Sequence, residues 1–307
     1  MRSRRSVRSL LFCCAATAAW CAPLVAQSTS TLSVTLLPAS AAAGGMGHAH
    51  PLTQGSADLL FYAPGLVGEA SGIAATFSSA AETGALVAFA GAADWFGGAV
   101  ALGVLNATYA TSAGALARWE ADLALQGPGT ASETAVSVGY GREVGPVHAG
   151  VAARLLAVRA GGGSDRGAAF DVGAGIDLPF GTASVAVQDV GADLDLAGQA
   201  VELPTRVSLA AATDRRPVGP LDLMAAAALD VRRGGDVRPG GGVEVSYWPV
   251  QGRTFFARAG YGQPVGDDPA SGWTLGAAFR GDRIGVDYAW GRVDDERTVH
   301  RVGLRWW

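Results

Sequence analysis

The fold is decided by Gly272-Trp273-Thr274-Leu275-Gly276-Ala277-Ala278-Phe279-Arg280-Gly281-Asp282-Arg283-Ile284-Gly285-Val286-Asp287-Tyr288-Ala289-Trp290. Trp273, Leu275, Ala277 and Phe279 share one face of a period-two segment, opposite Thr274, Gly276, Ala278 and Arg280. After Gly281-Asp282 the alternation resumes, with Ile284, Val286, Tyr288 and Trp290 against Arg283, Gly285, Asp287 and Ala289. Alternation of this kind marks strands, and a Gly-Asp pair between two of them marks an antiparallel hairpin. The apolar face carries rings near the strand ends, as the aromatic girdles of membrane barrels do. The strands of a soluble sandwich run nearer five or six residues, and their outward faces are rich in charge.

The same pattern recurs towards the amino terminus. Phe255, Ala257, Ala259 and Tyr261 alternate with Thr254, Phe256, Arg258 and Gly260. Val147, Val151 and Leu155 alternate with His148, Gly150 and Arg154, and Ala117, Trp119, Ala121, Leu123 and Leu125 with Arg118, Glu120 and Asp122. From Ala70 to Trp307 there are roughly fifteen such segments, mostly about eight to twelve residues long, close to the roughly nine to eleven that a tilted strand needs to cross a bilayer. Residues 160–166, 189–202, 232–240 and 264–271 read as loops. The reading is all-β: a closed antiparallel transmembrane β-barrel, whose wall normally needs an even strand count.

Composition agrees. Charged residues are 16%, against roughly 25% in a soluble domain, while 49% are hydrophobic and 44 of 307 are glycine. Disorder is excluded by the low charge and collagen by the lack of a three-residue glycine period. The chain begins with four arginines within eight residues, followed by a charge-free apolar run from Ser9 to Ala26. This is the layout of a secretory signal peptide over residues 1–26. A membrane anchor is opposed by Pro23 and by the length, and a lipidated Cys21 by Trp20 before it. Cleavage would remove all three cysteines, so disulfides and thiolate chemistry go with them. It would also remove four of 23 basic residues, leaving 19 against 27 acidic ones and a charge of −8. No lysine is present, and an acidic exported chain is no nucleic-acid binder.

At the other end the chain stops on Val299-His300-Arg301-Val302-Gly303-Leu304-Arg305-Trp306-Trp307. Val302, Leu304 and Trp306 share a face, and a barrel closes by pairing its last strand with its first. Residues 27–69 do not alternate. They hold Gly44-Gly45-Met46-Gly47-His48-Ala49 and Asp58-Leu59-Leu60-Phe61-Tyr62-Ala63-Pro64-Gly65-Leu66, small residues that permit close backbone approach and a Pro-Gly break. This segment is expected to be a plug in the lumen, followed by the barrel over residues 70–307.

These two runs resemble the amino-terminal signature of the PorV/PorQ family of outer-membrane barrels, related in fold to FadL-type channels for hydrophobic compounds. The matching positions are Gly45, Met46 and Gly47, then Asp58, Tyr62, Pro64, Gly65 and Leu66, although the usual Asn before the turn is lacking and one residue is missing. Further similarity follows in order at residues 203–207, 242–247, 258–261, 287–290 and 300–304. The resemblance implies about fourteen strands, an outer-membrane location, and a terminal signal at Val302, Leu304, Trp306 and Trp307 read by the barrel-assembly machinery. It implies a role in protein secretion or surface anchoring, with secretion components or exported cargo as partners. The FadL relationship implies passage of hydrophobic small molecules instead.

Catalysis is not expected, and neither is a cofactor. No G-x-S-x-G or H-E-x-x-H motif occurs, and a barrel hydrolase would need Ser, His and an acid brought together from separate strands. The glycine runs at 139–141 and 173–175 lie between strand residues rather than opening helices, so they are not phosphate loops. His48 and His50 suit hydrogen bonds within the plug better than metal ligation. The polar-face charges Arg118, Glu120, Asp122, Arg154, Arg206, Glu244, Arg258, Arg280 and Asp287 are expected to face the lumen, together with Asp222 and Asp230. They either line a passage or pair to hold wall and plug together, the latter favoured because unpaired charge in a narrow lumen is costly. A channel calls for a continuous apolar path from a surface groove past residues 37–66 to the lumen, and a solid, plug-filled lumen with no lateral opening would oppose it.

Overall fold

A computed structural model describes residues 30–52, 55–80, 84–110, 130–160, 163–196, 198–263, 272–292 and 298–307. The strands are β1 (Ser30–Thr31), β2 (Gly72–Ala80), β3 (Gly84–Trp95), β4 (Gly98–Ala110), β5 (Thr130–Val144) and β6 (Val147–Ala160). They continue with β7 (Gly163–Leu178), β8 (Gly181–Gly191), β9 (Leu194–Leu196), β10 (Gln199–Glu202), β11 (Arg206–Thr213) and β12 (Arg216–Val218). The last six are β13 (Leu221–Arg232), β14 (Val237–Val250), β15 (Arg253–Gly262), β16 (Trp273–Arg280), β17 (Ile284–Arg292) and β18 (Thr298–Trp306). Two one-turn helices, α1 (Ala41–Gly44) and α2 (Leu59–Tyr62), and a 3-10 segment, Pro64–Glu69, precede the wall.

Each wall strand pairs antiparallel with its sequence neighbour, and β18 returns to β2 over Val299↔Ala80 to Trp306↔Ile73. β11 meets β8 on one side and β13 on the other, and β12 continues it along β13. The wall is thus a closed ring of fourteen antiparallel strands. Several strands exceed the length read from the sequence: β5 has 15 residues, β6 14 and β7 16. Two of the expected loops are corrected; a third, 232–240, is loop only up to Asp236 because β14 starts at Val237, and residues 264–271 lie outside the described residues. Residues 160–166 are mostly strand, because β6 runs to Ala160 and β7 starts at Gly163. Residues 189–202 fold into the β9–β10 hairpin, to which β1 adds in parallel. Leu194, Leu196, Val201 and Leu203 bury their side chains in the same core as Leu32 and Val34. This three-stranded piece covers the end of the barrel where the longer connections lie. Tight turns at 96–97, 145–146, 179–180, 219–220 and 251–252 mark the opposite end.

Alternation sorts the side chains as the pleat requires. Phe77, Leu102, Leu155, Phe170, Tyr261, Trp273, Leu275 and Trp306 point outwards and are exposed. Two ring pairs sit near opposite ends of the outer wall: Phe255 with Phe279 at 5.2 Å, and Tyr261 with Trp273 at 5.4 Å. The core lies inside, where most of residues 32–52 and 55–70 are buried against the inner wall.

Two glycine cradles let the inner segment reach the wall. Around Pro64–Glu69, a Cβ at Gly141 would lie 2.5 Å from the Gly68 nitrogen and one at Gly173 2.8 Å from the Gly65 nitrogen. One at Gly150 would collide with the Pro64 carbonyl oxygen. Opposite, Met46 and Gly47 pack on Gly240, Gly242, Gly260 and Gly262, where a Cβ at Gly242 would come within 2.7 Å of the Met46 Cα. Gly47 itself has φ +63° with wall carbonyls against it, so a side chain there is excluded twice. Gly150→Val is expected to destabilise the barrel by about 1–3 kcal/mol through overpacking. Ala149→Val, one position along and on the other side of the sheet, should change stability by no more than about 0.5 kcal/mol. Urea unfolding in lipid vesicles measures both, and equal effects would contradict the cradle.

Candidate functional site: the filled lumen

Three buried polar clusters line the lumen, and the first two bind the inner segment to the wall. The first is Glu133, in β5 and buried. One of its carboxylate oxygens accepts hydrogen bonds from the backbone nitrogens of Ser33 (2.8 Å) and Val34 (2.6 Å) and from Ser33 Oγ (3.0 Å). Tyr109, from β4, bonds Ser33 Oγ as well. Glu133 is absent from the sequence-derived charges, although it occupies a polar-face position in a strand that reads Thr130-Ala131-Ser132-Glu133-Thr134.

The second anchor is a dry ion network near the long-loop end. Arg154 forms an ion pair with Asp171 and a hydrogen bond to Asp189, each at 2.6 Å, and Arg206 bonds Asp189 at 2.6 Å. A bulge between β7 and β8 brings these groups together: the register slips between Phe170 and Val172, and Asp189 takes φ +57°. The network reaches the inner segment through Arg206, which donates to the Thr35 carbonyl at 3.2 Å, and the neighbouring Gln188 donates to the Phe61 carbonyl at 3.1 Å.

The third lies toward the tight-turn end. Glu244 receives Arg215 at 2.6 Å and Arg258 at 2.7 Å, Arg258 also bonds Asp287 at 2.6 Å, and Arg305 reaches Asp287 at 3.2 Å. Arg215, Arg258 and Arg280 surround the buried Phe256 ring at 5.3–5.7 Å. Of the charges read from the sequence, Arg154 and Arg206 therefore fall in one network, Glu244, Arg258 and Asp287 in another, and Arg280 beside it. Asp222 bonds the Trp248 indole at 3.0 Å, and Asp230 receives Ser208 Oγ at 2.5 Å. Arg118, Glu120 and Asp122 lie outside the described residues. Removing one partner from such a buried pair typically costs about 3–5 kcal/mol, because the other charge is left uncompensated.

The plug-motif residues occupy three places. Gly45, Met46 and Gly47 lie in the second cradle, with the Gly47 nitrogen donating to Thr274 Oγ1 at 2.9 Å. Asp58 is buried 3.3 Å from His50, whose ring stacks on Tyr62 at 4.6 Å, and the Tyr62 hydroxyl accepts from the Ser40 nitrogen at 2.9 Å. Pro64, Gly65 and Leu66 fill the first cradle. Val302, Leu304, Trp306 and Trp307 are exposed on the outer wall and its end.

Between these anchors lies a cavity of about 80 Å³. Leu36, Leu37, Pro38, Phe61 and Leu105 provide apolar lining, and Arg154, Arg206, His48, His50 and Gln188 provide polar lining. Elsewhere in the lumen the described side chains are packed, with Leu32, Val34, Met46, Leu52, Leu60 and Leu66 at 0% exposure. At the tight-turn mouth Glu69 faces His148 and Asp177; burial together with Asp177 and Glu143 raises the Glu69 carboxyl above its usual range, against the pull of His148.

The chain is thus a closed fourteen-stranded barrel, its lumen occupied by an inner segment, with the fold of FadL-like outer-membrane proteins. It aligns with a Pseudomonas aeruginosa FadL homologue at 10% identity and TM-score 0.54, over 90% of this chain and 98% of that one. The Pseudomonas putida toluene transporter TodX aligns at 11% identity and TM-score 0.52, over 86% and 95%. The monoaromatic hydrocarbon channel CymD aligns at 10% identity and TM-score 0.50, over 84% and 96%. No family model matches the sequence, and no curated protein does.

Glu133→Ala should free the start of the inner segment, since a hydrogen-bonded buried carboxylate is worth about 1.5–3 kcal/mol. Limited proteolysis of the folded barrel is expected to cut within residues 30–36 in the variant and spare them in the parent. Equal cutting would remove Glu133 from the anchor.

Proposed function

We propose that this chain is an outer-membrane channel of the FadL type that admits small, largely apolar molecules, and that it is not an enzyme. In this reading residues 1–26 direct export, residues 27–69 are the plug, and the tight-turn end faces the periplasm, as in other outer-membrane barrels. The observation that carries it is the luminal cavity, apolar on the side of Leu36, Leu37, Phe61 and Leu105 and polar at one edge. Ligand sites combine apolar lining with a few placed polar groups in this way. The fold likeness to hydrocarbon channels supports the same direction. Among the described residues no continuous apolar path runs past residues 37–66, so the arrangement does not meet that expectation as it stands, and passage on this reading requires the plug to shift at its cradles.

A PorV/PorQ-type role in secretion rests on sequence resemblance, and most of the residues that carry it have structural duties here. Gly45, Met46 and Gly47 seat the plug, and Arg258 and Asp287 complete an ion network. Any plugged barrel of this shape needs those contacts, so they do not discriminate cargo export from solute entry.

The two readings separate in whole cells. Initial uptake of a labelled monoaromatic hydrocarbon is expected to fall when the chain is deleted and to recover on re-expression, with the secreted proteins unchanged. Unchanged uptake with an altered set of secreted proteins would overturn the proposal in favour of secretion.

A further inference from the structure

The tight-turn mouth gathers metal-ligating side chains from three separate elements. His148 enters from β6 and is 7% exposed. Its Nε2 lies 3.1 Å from Glu69 Oε1, at the last residue of the 3-10 segment, and 3.0 Å from Asp177 Oδ2, near the end of β7. We propose that Glu69, His148 and Asp177 form a divalent-cation site of the zinc class, which clamps the end of the plug to the wall.

One imidazole nitrogen carries at most one proton, so it satisfies two carboxylates aimed at it only by dividing a single N–H between them. A cation at their meeting point engages the nitrogen lone pair and both oxygens in full. The three donor atoms all lie within 4.8 Å of one another. Zinc bonds of about 2.0–2.2 Å hold neighbouring tetrahedral ligands roughly 3.3 Å apart, near the two distances observed. Asp177 and Glu69 are the exposed members of the trio and have room to close the remaining gap.

The surroundings favour the same charge. The mouth, a space of about 710 Å³ open to solvent, is lined also by Asp94 and Glu143, and no arginine lines it. Thr182 Oγ1 donates to the far oxygen of Asp177 at 3.0 Å and so orients the ligating one, as supporting hydrogen bonds do around metal ligands. An imidazole in the set selects zinc and its first-row neighbours over calcium or magnesium, which take oxygen ligands. Three protein donors leave a fourth position for water, which the open mouth supplies. The clamp joins Glu69, three residues before β2 begins, to the wall, so it acts on the hinge between plug and barrel.

Untagged full-length protein, folded in detergent micelles and stripped with chelator, can be titrated with zinc chloride by calorimetry. About one zinc per chain is expected, with affinity reduced at least about tenfold in Glu69→Gln and Asp177→Asn and lost in His148→Gln. His300→Gln, on the outer wall, should bind as the parent does. The heat-dependent gel shift of barrels verifies that each variant is folded. A parent that takes up no zinc, or a folded His148→Gln that takes up as much as the parent, would overturn the site. Tighter binding of calcium than of zinc would overturn the zinc assignment.

Discussion

The pairing of β18 with β2 is the constraint on which the rest depends. Inside a bilayer no water is available to satisfy backbone N–H and C=O groups, so a sheet survives there only without an edge. Eight residue pairs from Val299↔Ala80 to Trp306↔Ile73 remove that edge. Closure fixes an inside and an outside for every strand. The outside then has to be apolar, which accounts for the low overall charge, and the charge of the wall has to be resolved within.

A closed ring of this size has a lumen that must be filled or wet. This chain fills it with its own residues 32–52 and 55–70. Filling brings backbone against backbone, and only glycine leaves space for that, so glycines cluster where Pro64–Glu69 and Gly45–Gly47 touch the wall. It also removes water from the inward charges. Arg154 and Arg258 each bridge two carboxylates for this reason, and Glu133 receives backbone donors in place of a cation. Packing and charge pairing therefore act on the same segment, and the plug is held at several separated points rather than by one contact.

The wall was legible in the sequence because its rule is local. Trp273 through Trp290 reveals two strands and both faces, but the turn lies one residue later than the Gly281-Asp282 pair suggests: the Gly281 nitrogen donates to the Ile284 carbonyl at 2.9 Å, so Phe279 pairs with Val286 rather than with Ile284. What was not legible depends on distant partners. Gly141, Gly150 and Gly173 look like ordinary strand glycines until Pro64–Gly68, between 73 and 108 residues earlier, lies against them. Glu133 is an isolated acid whose donors are a hundred residues away. The β9–β10 hairpin is too short and too polar between its leucines to announce strands, and its stability comes from Leu32 and Val34 beneath it. The charges were legible as inward-facing, but their division into two networks was not, because a bulge at Asp171 and Asp189 sets one of them.

On the proposed channel reading, the described residues leave the lumen closed, and solutes enter only when the plug leaves its seat. A lock tests this directly, since no cysteine lies outside residues 1–26 to interfere. A Cβ built on Gly303 lies 3.2 Å from that of Ala41 in α1, close to the separation that a disulfide spans. In cells carrying Ala41→Cys with Gly303→Cys, uptake of a labelled monoaromatic hydrocarbon should fall to the level of the deletion strain when oxidised and return on reduction. Oxidised and reduced forms that take it up equally, both well above the deletion strain, would contradict the account.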